Sequence, residues 1–178
     1  MISQTMQDAF NKQMNAEAYS GYLYISMSSY FESKGLKGMA KWMANQAREE
    51  FFHTSKFYHY ILERGGRALM APIDGPTVDW DSPLKVWENV VSHERKVTSL
   101  INNLMNMAKK ENDHASEVFL QWFVSEQVEE EAAADEILQK MKIAGEAGAV
   151  LFMMDNELGQ RVLSPLVAAA MVGTPAAA

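Results

Sequence analysis

The stretch Arg48-Glu49-Glu50-Phe51-Phe52-His53 decides how the rest of the chain is read. Glu50 and His53 stand three apart, a spacing that puts both side chains on one face of a helix, and apolar residues surround them. A carboxylate and an imidazole on one rigid face grip a metal ion if other helices bring further oxygen ligands. Those ligands emerge when the chain is compared with itself. A shift of 77 residues sets Glu17 over Glu94, Glu49 over Glu126, Glu50 over Gln127 and His53 over Glu130. Each half therefore reads as a carboxylate followed, 33 residues later, by a ligand-x-x-ligand pair. Trp42 over Phe119 and Met43 over Leu120 show some apolar packing repeating in the same register.

Around this motif, turn and cap residues divide the chain into helices. Thr5-x-x-Asp8 resembles a capping box, and Phe10, Met14, Glu17, Gly21, Tyr24, Ser28 and Phe31 form the stripe of a long first helix. Gly35 and Gly38 bracket its end. A second stripe runs Met39, Met43, Ala47, Glu50, Thr54, Phe57, Ile61 and stops at Gly65-Gly66. The connection to Asp81, with Pro72, Gly75 and Pro76, lacks periodicity and is too long for a tight turn, so it should cross the length of a bundle. Ser82-Pro83 is a cap followed by proline at the first helical position. The third stripe is Trp87, Val90, Glu94, Val97, Ile101, Leu104, Ala108, and Asn112-Asp113 break and restart the chain. The fourth is Leu120, Phe123, Gln127, Glu130, Ala134, Ile137, Met141. Four helices of roughly 26 to 30 residues, each about 40 Å long, predict an all-α four-helix bundle with one long crossover between the second and third helices. A shorter fifth helix follows Gly145 and Gly148 and runs to about Gln160. Residues 1–163 read as one domain, and 164–178, with its Ala-rich end, as a low-complexity frayed tail.

The acids carry the functional signal. Glu17, Glu50, Glu94 and Glu130 occupy the apolar stripes, on which no Lys or Arg lies. Buried charge without a counterion is very unfavourable, and two divalent cations would neutralise four such carboxylates. The competing structural reading is that some of these acids are partly exposed or paired with basic side chains from elsewhere. With 178 residues, 48% hydrophobic and 22% charged, the chain suits a soluble globular protein. Its net charge of −7 and lack of basic runs argue against a nucleic-acid surface. The absence of cysteine excludes disulfides, iron–sulfur clusters and thiolate zinc sites. Met1-Ile2-Ser3-Gln4-Thr5 lacks signal-peptide character and no apolar run approaches about 18 residues, so a cytoplasmic protein without a membrane span is expected.

Glu17, Glu50-x-x-His53, Glu94 and Gln127-x-x-Glu130, with Tyr24 one heptad after Glu17, resemble the ferroxidase centre of ferritins, above all the non-haem ferritins of bacteria and archaea. Residues 119–131, Phe-Leu-Gln-Trp-Phe-Val-Ser-Glu-Gln-Val-Glu-Glu-Glu, are similar to that family's fourth helix, and Glu63-Arg64-Gly65-Gly66 and the segment from Ser82 fit too. The resemblance spans residues 3–162. It departs from the ferritin-like di-iron pattern, because the second pair is Gln-x-x-Glu where that pattern has Glu-x-x-His. That departure speaks against bacterioferritin and rubrerythrin.

The resemblance implies iron storage with ferroxidase activity, in which Fe²⁺ is oxidised by O₂ or H₂O₂ and Fe³⁺ is stored as mineral. Twenty-four chains would form a hollow shell, with no haem. Glu17, Glu50 and His53 would hold one iron, and Glu50 would bridge to a second held by Glu94, Gln127 and Glu130. Gln127 has an alternative role as a hydrogen-bond donor to a ligand. Tyr24 would hydrogen-bond a ligand carboxylate or give an electron, its plainer reading being a core residue. Glu49, Glu126 and Glu129, with Glu130 shared, would form a third iron site, against the alternative of a solvated acidic face. Glu117 matches the family's three-fold channel by position, and as an ordinary residue favours the helix N-terminus it lies beside. Two other classes stay open: a di-iron peroxidase or oxygenase on the same bundle without mineral storage, and an inert helical scaffold.

Overall fold

A computed structural model describes residues 1–145 and 148–171. Six helices follow one another: α1 (Gln4–Ser33), α2 (Lys37–Glu63), α3 (Pro83–Glu111), α4 (His114–Ala144), α5 (Gly148–Leu158) and α6 (Pro165–Met171). The described residues contain no strand, and the first four helices form the bundle. Hairpins pair α1 with α2 and α3 with α4.

The caps follow from local chemistry. Ser82 Oγ accepts from Lys85 N at 3.3 Å ahead of Pro83. Asn112 takes a left-handed φ of 55°, tolerable for its short polar side chain, and ends α3. Asp113 then accepts from Ser116 N at 3.2 Å to start α4. One local expectation fails: α1 is capped by Ser3, which accepts from Met6 N at 3.1 Å, so Thr5 and Asp8 lie inside the helix. The backbone bond from Ile2 N to Arg64 O, 2.9 Å, holds the segment just before this cap against the end of α2.

The crossover runs along α1, as its length required. Arg67 N donates to Gln7 Oε1 at 2.8 Å, and Asn11 bonds Arg67 O and Leu69 N at 3.0 and 2.7 Å. Asn15 reaches Pro72 O at 3.4 Å and Ser26 reaches Thr77 O at 2.6 Å. Four polar residues thus tie a segment without helical bonds of its own to most of the length of α1.

Two apolar clusters fill the bundle. One contains Met27, Phe31, Met39, Trp42, Trp87, Val90, Ile137 and Met141, and the other Met6, Phe10, Phe57, Ile61, Ile101, Leu104, Leu120 and Phe123. On every helix the sequence between the two clusters carries the inward polar residues: Glu17 on α1, Glu50 and His53 on α2, Glu94 on α3, Gln127 and Glu130 on α4.

The chain after the bundle docks on the start of α2. Leu36 provides no side-chain cap, and Asp155 of α5 supplies one by accepting from Met39 N at 2.8 Å in a buried position. Gly38 permits this approach, since a Cβ there would lie 1.7 Å from Asp155 O. Gly38→Ala should therefore push α5 off α2. Overpacking against backbone outweighs the gain in helix propensity, and a fall in melting temperature of about 5 to 10 °C is expected by calorimetry of the metal-free protein. The expected frayed tail is corrected over 165–171. Those residues form α6, with Val167 buried, and Ser164 accepts from Val167 N at 3.3 Å. Ser164-Pro165 repeats the cap-and-proline signal of Ser82-Pro83. Residues 172–178 lie outside the described residues.

Candidate metal centre

The polar layer is completely enclosed by helices. Glu17, Glu50, His53, Glu94, Gln127 and Glu130 are all buried. Glu17, Glu50 and His53 each offer a ligand atom within 4.8 Å of the others, the only such group of acids and imidazoles among the described residues. His53 Nδ1 lies 3.4 Å from Glu50 Oε2, and its ring is set edge-on against Trp122 and Phe123. Glu94 and Glu130 face this group from α3 and α4, close enough that both raise the pKa of Glu50.

The electrostatics call for a cation. Burial, then Glu50, pushes the Glu17 carboxyl up to about 8, and burial, then Glu94, pushes Glu130 up to about 8. Burial raises Glu94 as well, and burial with Glu94 and Glu130 holds Glu50 well above the ordinary carboxylate range. Among the described residues, no Lys or Arg forms an ion pair with any of the four. Glu17 Oε2, Glu50 Oε2 and Gln46 Oε1 are buried without hydrogen-bond partners. Acceptors lacking donors, beside an imidazole and in a carboxylate-rich layer, fit hard-to-borderline divalent metal ions such as Fe²⁺.

Donors hold the free ends of several of these carboxylates. Gln13 Nε2 donates to Glu17 Oε1 at 2.8 Å and Gln46 Nε2 to Glu130 Oε2 at 2.8 Å. The Tyr24 hydroxyl donates to Glu94 Oε1. Gln127 Nε2 donates to Glu94 Oε2 at 3.3 Å. His93 is buried edge-on to Tyr24, and Ser20 Oγ lies 2.8 Å from its Nε2. Burial lowers the His93 pKa to about 4, so its ring is neutral near pH 7. His114 is exposed and pairs with Glu117 at 3.0 Å.

The flanking acids are arranged differently. Glu49 is buried and ion-paired with Arg161, whose guanidinium lies 4.2 Å from the Trp42 ring centre. Glu126 is half-buried and Glu129 exposed. Burial raises the Glu126 pKa, and Glu129 and Glu49 add to the rise while His53 and Lys56 oppose it. Glu126 thus feels both other acids, and a guanidinium holds one of these, Glu49. Sequence reasoning missed Arg161, which follows α5 and meets Glu49 across 112 residues. It also missed Gln13 and Gln46, although a signal was present: each stands four residues before one of the buried glutamates, Glu17 or Glu50, hence on the same helix face.

Fold and site together define a helical-bundle protein with a buried carboxylate–imidazole cluster suited to a metal ion. The family model of the ferritin-like domain matches residues 7–144, and the chain belongs to the ferritin family. It is 47% identical over 161 residues to the bacterial non-heme ferritin of Bacteroides fragilis (strain 638R), covering 90% of this chain and 100% of that protein. It is 38% identical to a probable bacterial non-heme ferritin-like protein of Haemophilus influenzae, covering 89% of this chain and 96% of the relative. Among solved structures, the open pore ferritin of the hyperthermophilic archaeon Archaeoglobus fulgidus superposes with a TM-score of 0.90 at 48% identity, covering 91% of this chain and 99% of that one. A humanized archaeal ferritin gives 0.91 at 47%, covering 93% of this chain and 100% of that one. No described helix is long and apolar enough to cross a membrane.

Proposed function

We propose that the protein is an iron-storage ferritin with ferroxidase activity, acting on Fe²⁺ as substrate and O₂ or H₂O₂ as oxidant. The observation that carries this reading is the buried layer of four glutamates and one histidine, whose orphaned oxygens have no protein cation to meet them. Glu17, Glu50 and His53 hold one Fe²⁺. Glu50, facing Glu94 and Glu130, bridges to a second Fe²⁺ held by those two carboxylates, with Gln127 completing or orienting that set. Each iron gives up one electron, so the pair reduces one O₂ by two electrons to the level of H₂O₂. Tyr24 fixes Glu94 and is a redox-active side chain hydrogen-bonded to that carboxylate.

Storage requires a container, and the surface favours self-association. Ile25 and Phe51 are exposed and line one depression between α1 and α2, beside further exposed apolar residues such as Tyr22 and Tyr58. A lone chain leaves such surface in water, and closed symmetric assembly buries it. The proposed assembly is a hollow 24-mer of residues 1–163 as one unit, located in the cytoplasm and working without haem. Fe²⁺ added in air should give the ultraviolet ferric-oxo absorbance within seconds, from a species of about 480 kDa by size exclusion. A small species that oxidises iron without retaining it would point to a di-iron enzyme, and no oxidation would point to a scaffold.

Glu49, Glu126 and Glu129, with Glu130 shared, form a weaker third iron position, and Arg161 is the cation that a third iron displaces from Glu49. Arg161→Gln should raise third-site occupancy about tenfold at limiting Fe²⁺, while Glu129→Ala should abolish it, keep two fast-oxidising irons per chain and change the Fe²⁺ consumed per O₂. Oxygen-electrode stoichiometry of the variants against the parent decides this.

A further inference from the structure

Gln46 is fully buried and lies one helical turn before Glu50, with its Nε2 2.8 Å from Glu130 Oε2 and 3.5 Å from Glu50 Oε1. The amide therefore sits between a carboxylate of its own helix and one from α4. Once Glu130 is ionised to take a metal, the orientation is set by chemistry, because turning the amide over would place Oε1 against the Glu130 carboxylate, oxygen on oxygen. That leaves Oε1 buried with no donor. A leucine or methionine would fill the same space without an orphaned acceptor, so packing alone gives no reason for an amide here. A comparison within the chain sharpens the point. Gln13 stands in the same relation to Glu17 as Gln46 to Glu50, yet Gln13 donates to Glu17 on its own helix, whereas Gln46 reaches across to Glu130. The two amides thus hold two different glutamates of the layer, Glu17 and Glu130.

We propose that Gln46 is a positioning residue for the second metal, an amide clamp that fixes Glu130 relative to the bridging Glu50, and that Gln13 plays the corresponding part for the first metal through Glu17. This rests on the two-metal reading of the site. With the donor in place, Glu130 is held in one orientation before the metal arrives. Without it the carboxylate turns freely, and the ordering falls on metal binding. Removing a hydrogen bond that orients a metal ligand weakens metal affinity about 10- to 100-fold. The effect is local: Gln46 touches Glu130 and Glu50, and Gln13 touches Glu17.

The test uses the assembled protein, Zn²⁺ as a redox-inert probe, and the variants Gln46→Met and Gln13→Met. Crystals equilibrated at graded Zn²⁺ and measured at the zinc edge give the half-filling concentration of each position separately. Gln46→Met should raise it at least about tenfold at the Glu94/Glu130 position and less than about twofold at the Glu17/His53 position, and Gln13→Met should do the reverse. Equal shifts at both positions, or none at either, would overturn the proposal while leaving the two-metal centre standing. Absence of zinc from both positions in the parent would overturn the centre and the clamp together. Should Gln46→Met fail to assemble, Gln46→Leu and the Gln13 variant carry the same comparison.

Discussion

Glu50→Gln is expected to slow Fe²⁺ oxidation at least about a hundredfold, about 2.7 kcal/mol in activation free energy, without lowering the stability of the metal-free protein. Glu50 is tied to both halves of the site: it shares the group of Glu17 and His53, and its charge is felt against Glu94 and Glu130. A neutral amide of the same size keeps the packing and removes the anion that joins two cations. In the empty site that anion is unfavourable, because burial and two neighbouring carboxylates push its pKa up. Function and stability should therefore move in opposite directions. Stopped-flow oxidation and calorimetry at about pH 8 read the two, and parent-rate oxidation would remove Glu50 from the centre.

The second large effect is the linkage between pH, metal and stability. Glu17 and Glu130 keep their protons to about pH 8 in the folded chain, against an ordinary carboxyl value of 4.5. Between those values the folded state binds more protons than the unfolded one. The stability contributed by these two groups is present in full below about 4.5 and is lost as pH rises through about 8. Metal-free protein should accordingly melt lower at about pH 8.5 than at about pH 5.5. Zn²⁺ or anaerobic Fe²⁺ competes with those same protons, so its stabilisation should grow across the window. At a thousandfold excess over Kd it amounts to about 4 kcal/mol per site, or roughly 8 to 16 °C. A melting temperature indifferent to metal at the higher pH would contradict buried ligand carboxylates.

What could be read from the sequence was whatever is written in local spacing. Heptad stripes, Ser82-Pro83, Asn112-Asp113 and the unperiodic crossover mark the four helices, because helix period and cap chemistry act over a few residues. The inward glutamates and His53 stand out because a charge on an apolar stripe breaks the pattern. Contacts between distant segments left less trace. The Arg161–Glu49 pair and the Asp155 cap on α2 join residues more than 100 positions apart, and nothing in either segment names its partner. Ser3 and α6 were legible in principle, through a serine before the first helix and a second Ser-Pro, but a stronger-looking box and an alanine-rich composition obscured them. Gln13 and Gln46 lay on the correct face, and only the geometry distinguishes a ligand-holding amide from a core glutamine.

The most direct test of the two-metal centre is diffraction at the iron edge from crystals soaked in Fe²⁺ without oxygen. Two anomalous peaks are expected inside each bundle, one among Glu17, Glu50 and His53, the other against Glu94 and Glu130, with Glu50 between them. Bundles left empty at saturating Fe²⁺, with iron only on the protein surface, would contradict the assignment of these residues to iron.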